Sequence, residues 1–196
     1  MKKRLLITGF DPFGGSTVNT SWMAVEQLPD EIGDFVLCKL QLPTVFGKAA
    51  AIAIDKIDEV KPDTVLCIGL AGNRTAVTPE RIAVNIRDAR IADNEGNQPS
   101  GEYVVPGGPA AYFSTVPVEK MAQAIQDIAL PAAISNTSGT FVCNDLLYHL
   151  LHHCNGTATK VGFIHVPNVP ELGEPALPLQ AICTALAVAI SVCSRT

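Results

Sequence analysis

The chain has 196 residues, 47% of them hydrophobic and 17% charged, which suits one domain (1–196) with a substantial core. Its net charge is −5 and its longest basic cluster is Lys2-Lys3-Arg4, so nothing is present to neutralise a phosphate backbone and no nucleic-acid partner is expected. Six cysteines form no C-x-x-C pair and sit mostly in apolar runs, which reads as reduced core residues of a cytosolic protein rather than a disulfide or metal framework.

In chain order, residues 4–9 (RLLITG) read as a buried strand ending in a glycine turn. The apolar run breaks at Thr8-Gly9, too early for a signal peptide. FDPFGGSTVNTSW follows, rich in turn formers yet carrying Phe10 and Phe13. Two aromatics at the carboxyl end of a strand either fold onto the core or wall a ligand pocket. Gly14-Gly15 lacks the pattern of a phosphate loop. Thr20 or Ser21 suits the cap of a helix through Trp22, Val25 and Leu28.

Residues 34–43 form a second strand, and a helix over 45–60 places Ala49, Ile52, Ala53 and Ile57 on one face. A third strand, DTVLCIGLAG, again ends in glycine. This rhythm implies βαβ units and a largely parallel sheet. Alternation of Ile82, Val84 and Ile86 suggests an exposed or edge β-strand. The Asn/Gly/Pro-rich excursion over 91–115, with a hairpin arm at 102–105, has a length that is usually functional or oligomer-forming. A helix at 118–128, a strand at 131–137, a helix from about Phe141, a strand at 161–167 and a helix over 175–194 complete the chain. The expected fold is α/β: a three-layer α/β/α sandwich with a mixed, largely parallel central sheet. The last helix approaches membrane-spanning length, but Pro178 and Gln180 suit a core helix, so no membrane partner is expected.

The chemistry centres on SGTFVCNDLLYHLLHHC, residues 138–154. Cys143 falls in the first turn of a helix, where unpaired N–H groups and the helix dipole favour a thiolate and should lower its pKa. It is either a nucleophile or one more small buried hydrophobe. His149, His152 and His153 share its helix without a carboxylate at ligand spacing, so no metal site is expected. His165, in VGFIHVP, sits where a parallel strand should end, as a core imidazole or as a catalytic base. Glu80, after Thr78-Pro79, could reach the same edge or simply be solvated. Together the three make a cysteine–histidine–acid set plausible.

The segments LITGFDPFGGSTVNTSW, GLAGNRTAVTPERIAVNIRDARIADNEGNQP, SNTSGTFVCNDLLYHLL and GFIHVPNVPE resemble those of the type I pyroglutamyl peptidases, or pyrrolidone-carboxylate peptidases, in order from Leu5 to about Glu171. The resemblance implies a cytoplasmic, thiol-dependent exopeptidase acting on N-terminally pyroglutamylated peptides, usually a homotetramer, with no metal or organic cofactor. By position it makes Cys143 the nucleophile, His165 the general base and Glu80 the acid that orients it. Phe10, Phe13 and Phe141 match residues lining the pyroglutamyl pocket, and Arg90 matches an arginine close to the active site. Leu70 and Asn73 stand where glutamine and glycine are common, and Thr20 replaces a common proline.

These residue types suit the reaction. Pyroglutamate is a lactam without a free amine, so an apolar pocket with a few hydrogen bonds, from backbone or from Asn19, would hold it, and a cationic amine would be rejected. A Cys143 thiolate, paired with protonated His165, would attack, with the oxyanion met by the Cys143 N–H and a donor from the 71–74 loop or Arg90. Two other readings fit the architecture, a nucleoside phosphorylase-like enzyme and a non-catalytic pyroglutamyl-binding module. Interface candidates are the 91–115 excursion and the C-terminal helix, and Cys193 is expected to be exposed enough for an adventitious disulfide.

Overall fold

The computed structural model describes residues 2–194. Its central sheet, six-stranded among the described residues, runs β2 (Glu31–Ile32), β3 (Phe35–Leu42), β1 (Lys3–Phe10), β4 (Thr64–Leu70), β8 (Lys160–Val166), β5 (Thr78–Pro79). β3, β1, β4 and β8 are parallel, while β2 and β5 pair antiparallel at the two edges. A separate ribbon pairs β6 (Ile82–Val84) with β7 (Ala111–Phe113).

The parallel strands are apolar on both faces because helices cover both faces. Leu5, Ile7, Leu66, Ile68, Ile164 and Val166 pack under α1 (Thr20–Gln27), α3 (Val118–Asp127) and α5 (Leu179–Cys193). Leu6, Val65, Cys67, Val161 and Phe163 face α2 (Lys48–Val60) and α4 (Val142–His153). This is the expected α/β/α arrangement. Among the described residues no helix is long and apolar enough to cross a membrane. β1 pairs on one side with β3 and on the other with β4, so successive connections leave it in opposite directions. In open α/β sheets that reversal places a crevice outside the carboxyl ends of the strands.

Several expectations need correction. Asn19 caps α1, accepting from the Ser21 N–H at 3.0 Å, so Thr20 and Ser21 lie inside the helix. Residues 34–43 are preceded by β2 and a turn at Gly33, whose φ of 56° suits glycine. The stretch 131–137 makes only isolated bridges, Ala132 to Val77 and Ser135 to Glu80. The alternation at 82–86 does mark an exposed, edge-like strand, β6 in the two-stranded ribbon, but the strand covers only Ile82–Val84. Ala83 and Asn85 turn inward, whereas Ile82 and Val84 are half-buried and Ile86 and its neighbour Tyr103 are exposed. The hairpin arm at 102–105 reduces to one bridge, Arg87 to Glu102, and the strand that pairs with β6 is β7. Cys193 is buried rather than exposed, its Sγ 3.9 Å from Met121 Sδ.

Candidate active site

Strand pairing brings the acid and the histidine together. β5 lies antiparallel to β8 with Thr78 opposite His165, and the Glu80 N–H continues that ladder by donating to Phe163 O at 2.9 Å. Glu80 and His165 are therefore diagonal neighbours on one face of the sheet, and such neighbours reach each other through long side chains. Glu80 Oε1 lies 2.7 Å from His165 Nδ1. Both residues are buried, Glu80 completely. A carboxylate at Nδ1 fixes the ring and leaves Nε2 as the nitrogen available for proton transfer.

Cys143 arrives from the opposite side of that face, in the first turn of α4. No side chain caps this helix at Phe141, so its leading N–H groups are left for a ligand. Room for the sulfur comes from Gly69, the register partner of His165 on β4. A Cβ on Gly69 would stand 3.1 Å from Cys143 Sγ and 2.6 Å from Phe163 Cζ. A bare backbone at this point is what lets the helix approach the sheet.

Cys143 and His165 both open onto one cavity of about 130 Å³ at the carboxyl ends of the parallel strands. Phe10 comes from the end of β1, Leu70 from the end of β4, and Thr44 from just beyond β3. Phe13, Asn19, Ser138 and Phe141 complete the lining. Phe141 is held by Phe13 at 6.2 Å between ring centroids and by an edge-on Phe46 at 5.2 Å. Leu70 adds an apolar wall where a glutamine would have offered a hydrogen bond. Asn19 lines the cavity, but its amide is already engaged. Its Nδ2 donates to Asp11 O at 2.9 Å, and its Oδ1 accepts from the Ser21 N–H and hydroxyl. Arg90 does not line this cavity. It is exposed beside an adjoining depression of about 460 Å³ that shares the Phe13 and Phe141 walls.

The electrostatics depart from the expectation of a low thiol pKa. Burial pushes the Cys143 thiol up to about 12 and the charge of Glu80 pushes the same way, against smaller opposing contributions from Arg74 and the helix start. Burial also lowers His165, against the hydrogen bond and charge of Glu80. Burial thus works against both the thiolate and the imidazolium, opposing the carboxylate and the helix terminus that favour charge here.

Three supporting residues escaped the sequence reading. Arg74 donates to Glu80 Oε1 at 2.6 Å and to Thr137 O at 3.1 Å, so it belongs to the acid rather than to the cavity. Phe46 backs the Phe141 wall. Asp93, the first residue of DNEGNQP, accepts from the N–H groups of Glu95, Asn97 and Phe46, all at 2.9 Å. Although burial pushes that carboxyl up, these hydrogen bonds and the Asn97 side chain hold it below its usual value. Asn94 ties the same loop to Asp11 and Pro12. The DNEGNQP motif therefore braces the pocket loops. The only sequence signal for that role was its density of turn-forming side chains.

The three histidines of α4 point to separate partners. Contrary to the expectation that no carboxylate accompanies them, Asp145 lies one turn before His149 and 3.6 Å from its Nε2, which is also 3.1 Å from Arg87; His152 Nδ1 lies 2.9 Å from the Tyr112 hydroxyl, and His153 Nε2 lies 3.2 Å from Asp58.

Known proteins match this arrangement along the whole chain. The model of the pyroglutamyl peptidase family matches residues 3–196. A pyrrolidone-carboxylate peptidase of Bacillus thuringiensis is 45% identical over 198 residues, covering 97% of this chain and 92% of the relative. One of Escherichia fergusonii is 47% identical over 195 residues, covering 96% and 91%. The crystal structure of pyroglutamyl peptidase I from Bacillus amyloliquefaciens superposes with a TM-score of 0.95 at 44% identity, covering 99% of this chain and 98% of that one. A mutant pyrrolidone carboxyl peptidase of Pyrococcus furiosus gives 0.93 at 40% identity, with 98% of each chain covered. With the fold, the order of its motifs and the whole length in agreement, the chain belongs to the pyroglutamyl peptidase family.

Proposed function

We propose that the chain is one peptidase domain that removes an N-terminal pyroglutamyl residue through a thioester on Cys143. The observation that carries this is the meeting of Cys143 and His165 on one small, aromatic-walled cavity, with Glu80 2.7 Å behind the ring. About 130 Å³ bounded by Phe10, Phe13, Leu70 and Phe141 suits a small uncharged ring. Among the described residues no carboxylate lines it to pair with a free amine, so a glutamyl or prolyl N-terminus would bury an unpaired cation at a cost of several kcal/mol.

From a neutral thiol and a neutral imidazole, His165 acts first as a general base. Its Nε2 takes the Cys143 proton as Sγ bonds to the pyroglutamyl carbonyl carbon. The Cys143 N–H at the open start of α4 supports the oxyanion. Collapse of the tetrahedral species breaks the C–N bond, and imidazolium returns its proton to the leaving amine. Water, deprotonated by the same ring, then hydrolyses the thioester and releases pyroglutamate. Glu80 holds the ring and stabilises the imidazolium in both half-reactions. The leaving peptide departs past Phe13 and Phe141 into the depression beside Arg90, which places that arginine on the leaving side rather than against the lactam. Asn19 contributes by shaping the cavity wall.

We further read the protein as a cytoplasmic homo-oligomer, a tetramer by family. Exposed aromatic surface supports association, since Phe113 on β7 is 66% exposed and Tyr103, in the segment after the Arg87–Glu102 bridge, is 68% exposed. Release of a fluorescent amine from its pyroglutamyl amide, beside the glutamyl and prolyl amides, tests the activity. Release from the pyroglutamyl amide alone, abolished by iodoacetamide, is expected. Equal release from all three would refute the lactam pocket.

A further inference from the structure

Glu80 has two acceptors for one ring, and the second claim on it comes from outside the cavity. Arg74 Nη1 donates to the same Oε1 that faces His165 Nδ1, at 2.6 Å beside 2.7 Å. The same guanidinium also contacts the Thr78 hydroxyl and donates from Nη2 to Thr137 O. Thr78 in turn donates to the His165 carbonyl at 3.3 Å. Glu80 Oε2 has no hydrogen-bond partner among the described residues, and the side chain is fully buried. One carboxylate oxygen therefore takes both donors, and no water-facing atom helps hold the negative charge.

We infer that Arg74 is a positioning residue of the reaction: by sharing Glu80 Oε1 with His165 it keeps the carboxylate turned to the ring, and its positive charge opposes addition of a proton to the acid–histidine pair. This rests on the peptidase reading above. Among the described residues the charged and titratable groups facing the ring are few: Glu80 after β5, Arg74 in the β4–β5 loop, the Cys143 thiol on α4 and, behind it, Cys67 on β4. Only Arg74 is permanently positive. Its charge lowers both His165 and Cys143, in agreement with the geometry.

The direction of the effect does not depend on which atom carries the shared proton. The working pair, ionised Glu80 with neutral His165, has one negative charge. Adding a proton neutralises it, and a nearby cation opposes that step whether the proton sits on oxygen or nitrogen. Removing the cation must make the pair easier to protonate. A bulky hydrogen-bond donor that merely tethered the loop would have no such consequence.

The test is the pH profile of kcat/KM for a pyroglutamyl amide in wild type, Arg74→Gln and Arg74→Lys. Arg74→Gln is expected to move the acid limb upward by about one pH unit. Arg74→Lys, the gentler change, keeps the charge and should leave the limb within a few tenths of a unit while lowering kcat several-fold. A limb unmoved in Arg74→Gln, or displaced by a unit in Arg74→Lys, overturns the inference. The His165 ring-proton NMR titration, assigned by its loss in His165→Ala, reads the same shift without turnover. Wild-type protein that releases no amine would therefore end the peptidase reading and still leave the Arg74 claim testable.

Discussion

Among the described residues two buried carboxylates each hold an arginine and face a histidine, and one of the two histidines lines a cavity shared with a cysteine. Glu80 meets Arg74 at 2.6 Å and His165 at 2.7 Å. Asp145 meets Arg87 at 2.5 Å, with His149 at 3.6 Å. Both carboxylates are fully buried. The difference lies in what the histidine sees next. His165 opens onto a cavity shared with a cysteine at an uncapped helix start. His149 faces back to Arg87, and Asp145 spends its other oxygen on the Gly47 N–H at 2.8 Å, pinning the start of α2 to α4. An acid–histidine pair is thus no signature of catalysis; a nucleophile and a vacant space beside the free ring nitrogen are.

The sharpest way to break this comparison is to remove the groups that differ. Cys143→Ala should lower kcat by at least about 10⁴-fold and His165→Ala by about 10³-fold or more, whereas His149→Ala should stay within about threefold of wild type. Comparable losses at both histidines would erase the distinction. A finer cut exchanges charge for neutrality in the two carboxylates. Glu80→Gln and Asp145→Asn each leave an arginine without its counter-charge, so urea unfolding should register about 3 kcal/mol of destabilisation in both. Well below the melting temperature, only Glu80→Gln should slow turnover, by about 10²-fold.

The smallest expected effects are those of pH. His165 is held below the imidazole value of 6.5, first by burial, so the acid limb of kcat/KM should fall below pH 6.5. The thiol at about 12 places the alkaline limb far above neutrality, giving a plateau across pH 7–9 rather than a narrow bell. A bell centred near neutrality would instead mark a preformed thiolate–imidazolium pair. Both His165 and His149 are lowered, so between their folded values and 6.5 the unfolded chain binds more protons. Stability from these two residues is therefore present above pH 6.5 and lost as pH falls through their folded values. His149→Gln should flatten the acid dependence of urea unfolding without moving the activity limb.

What could be read from the chain divides along the range of the interactions. Strand and helix runs were legible because burial on both sheet faces writes itself as continuous apolar stretches, as in LLITGF and TVLCIGL. Cys143 at a helix start and His165 at a strand end were legible through local pattern, and family resemblance joined them to Glu80. The alternation at 82–86 was legible as an exposed or edge strand, but not that Ala83 and Asn85 form its buried side, because alternation gives a period and not the side that is buried. The Asn19 cap was missed because three adjacent polar residues are all good caps, and the choice among them depends on Asp11 O and the Ser21 hydroxyl. Arg74, Arg87 and Phe46 had no local signal. Arg87 and Asp145 are 58 positions apart, and only the folded chain makes them neighbours. The upward push on the Cys143 thiol, against the low value expected from the helix start, was hidden for the same reason: the dipole is visible in sequence and the burial is not.

The most direct test of the account is the mass of the protein after rapid mixing with a pyroglutamyl amide and acid quench, followed by peptide mapping. The account predicts a gain of one pyroglutamyl group on Cys143 alone, transient in wild type, longer-lived where Glu80→Gln slows hydrolysis of the thioester, and absent in His165→Ala. Turnover with an unmodified Cys143, or an acyl group on any of the five other cysteines, would contradict it.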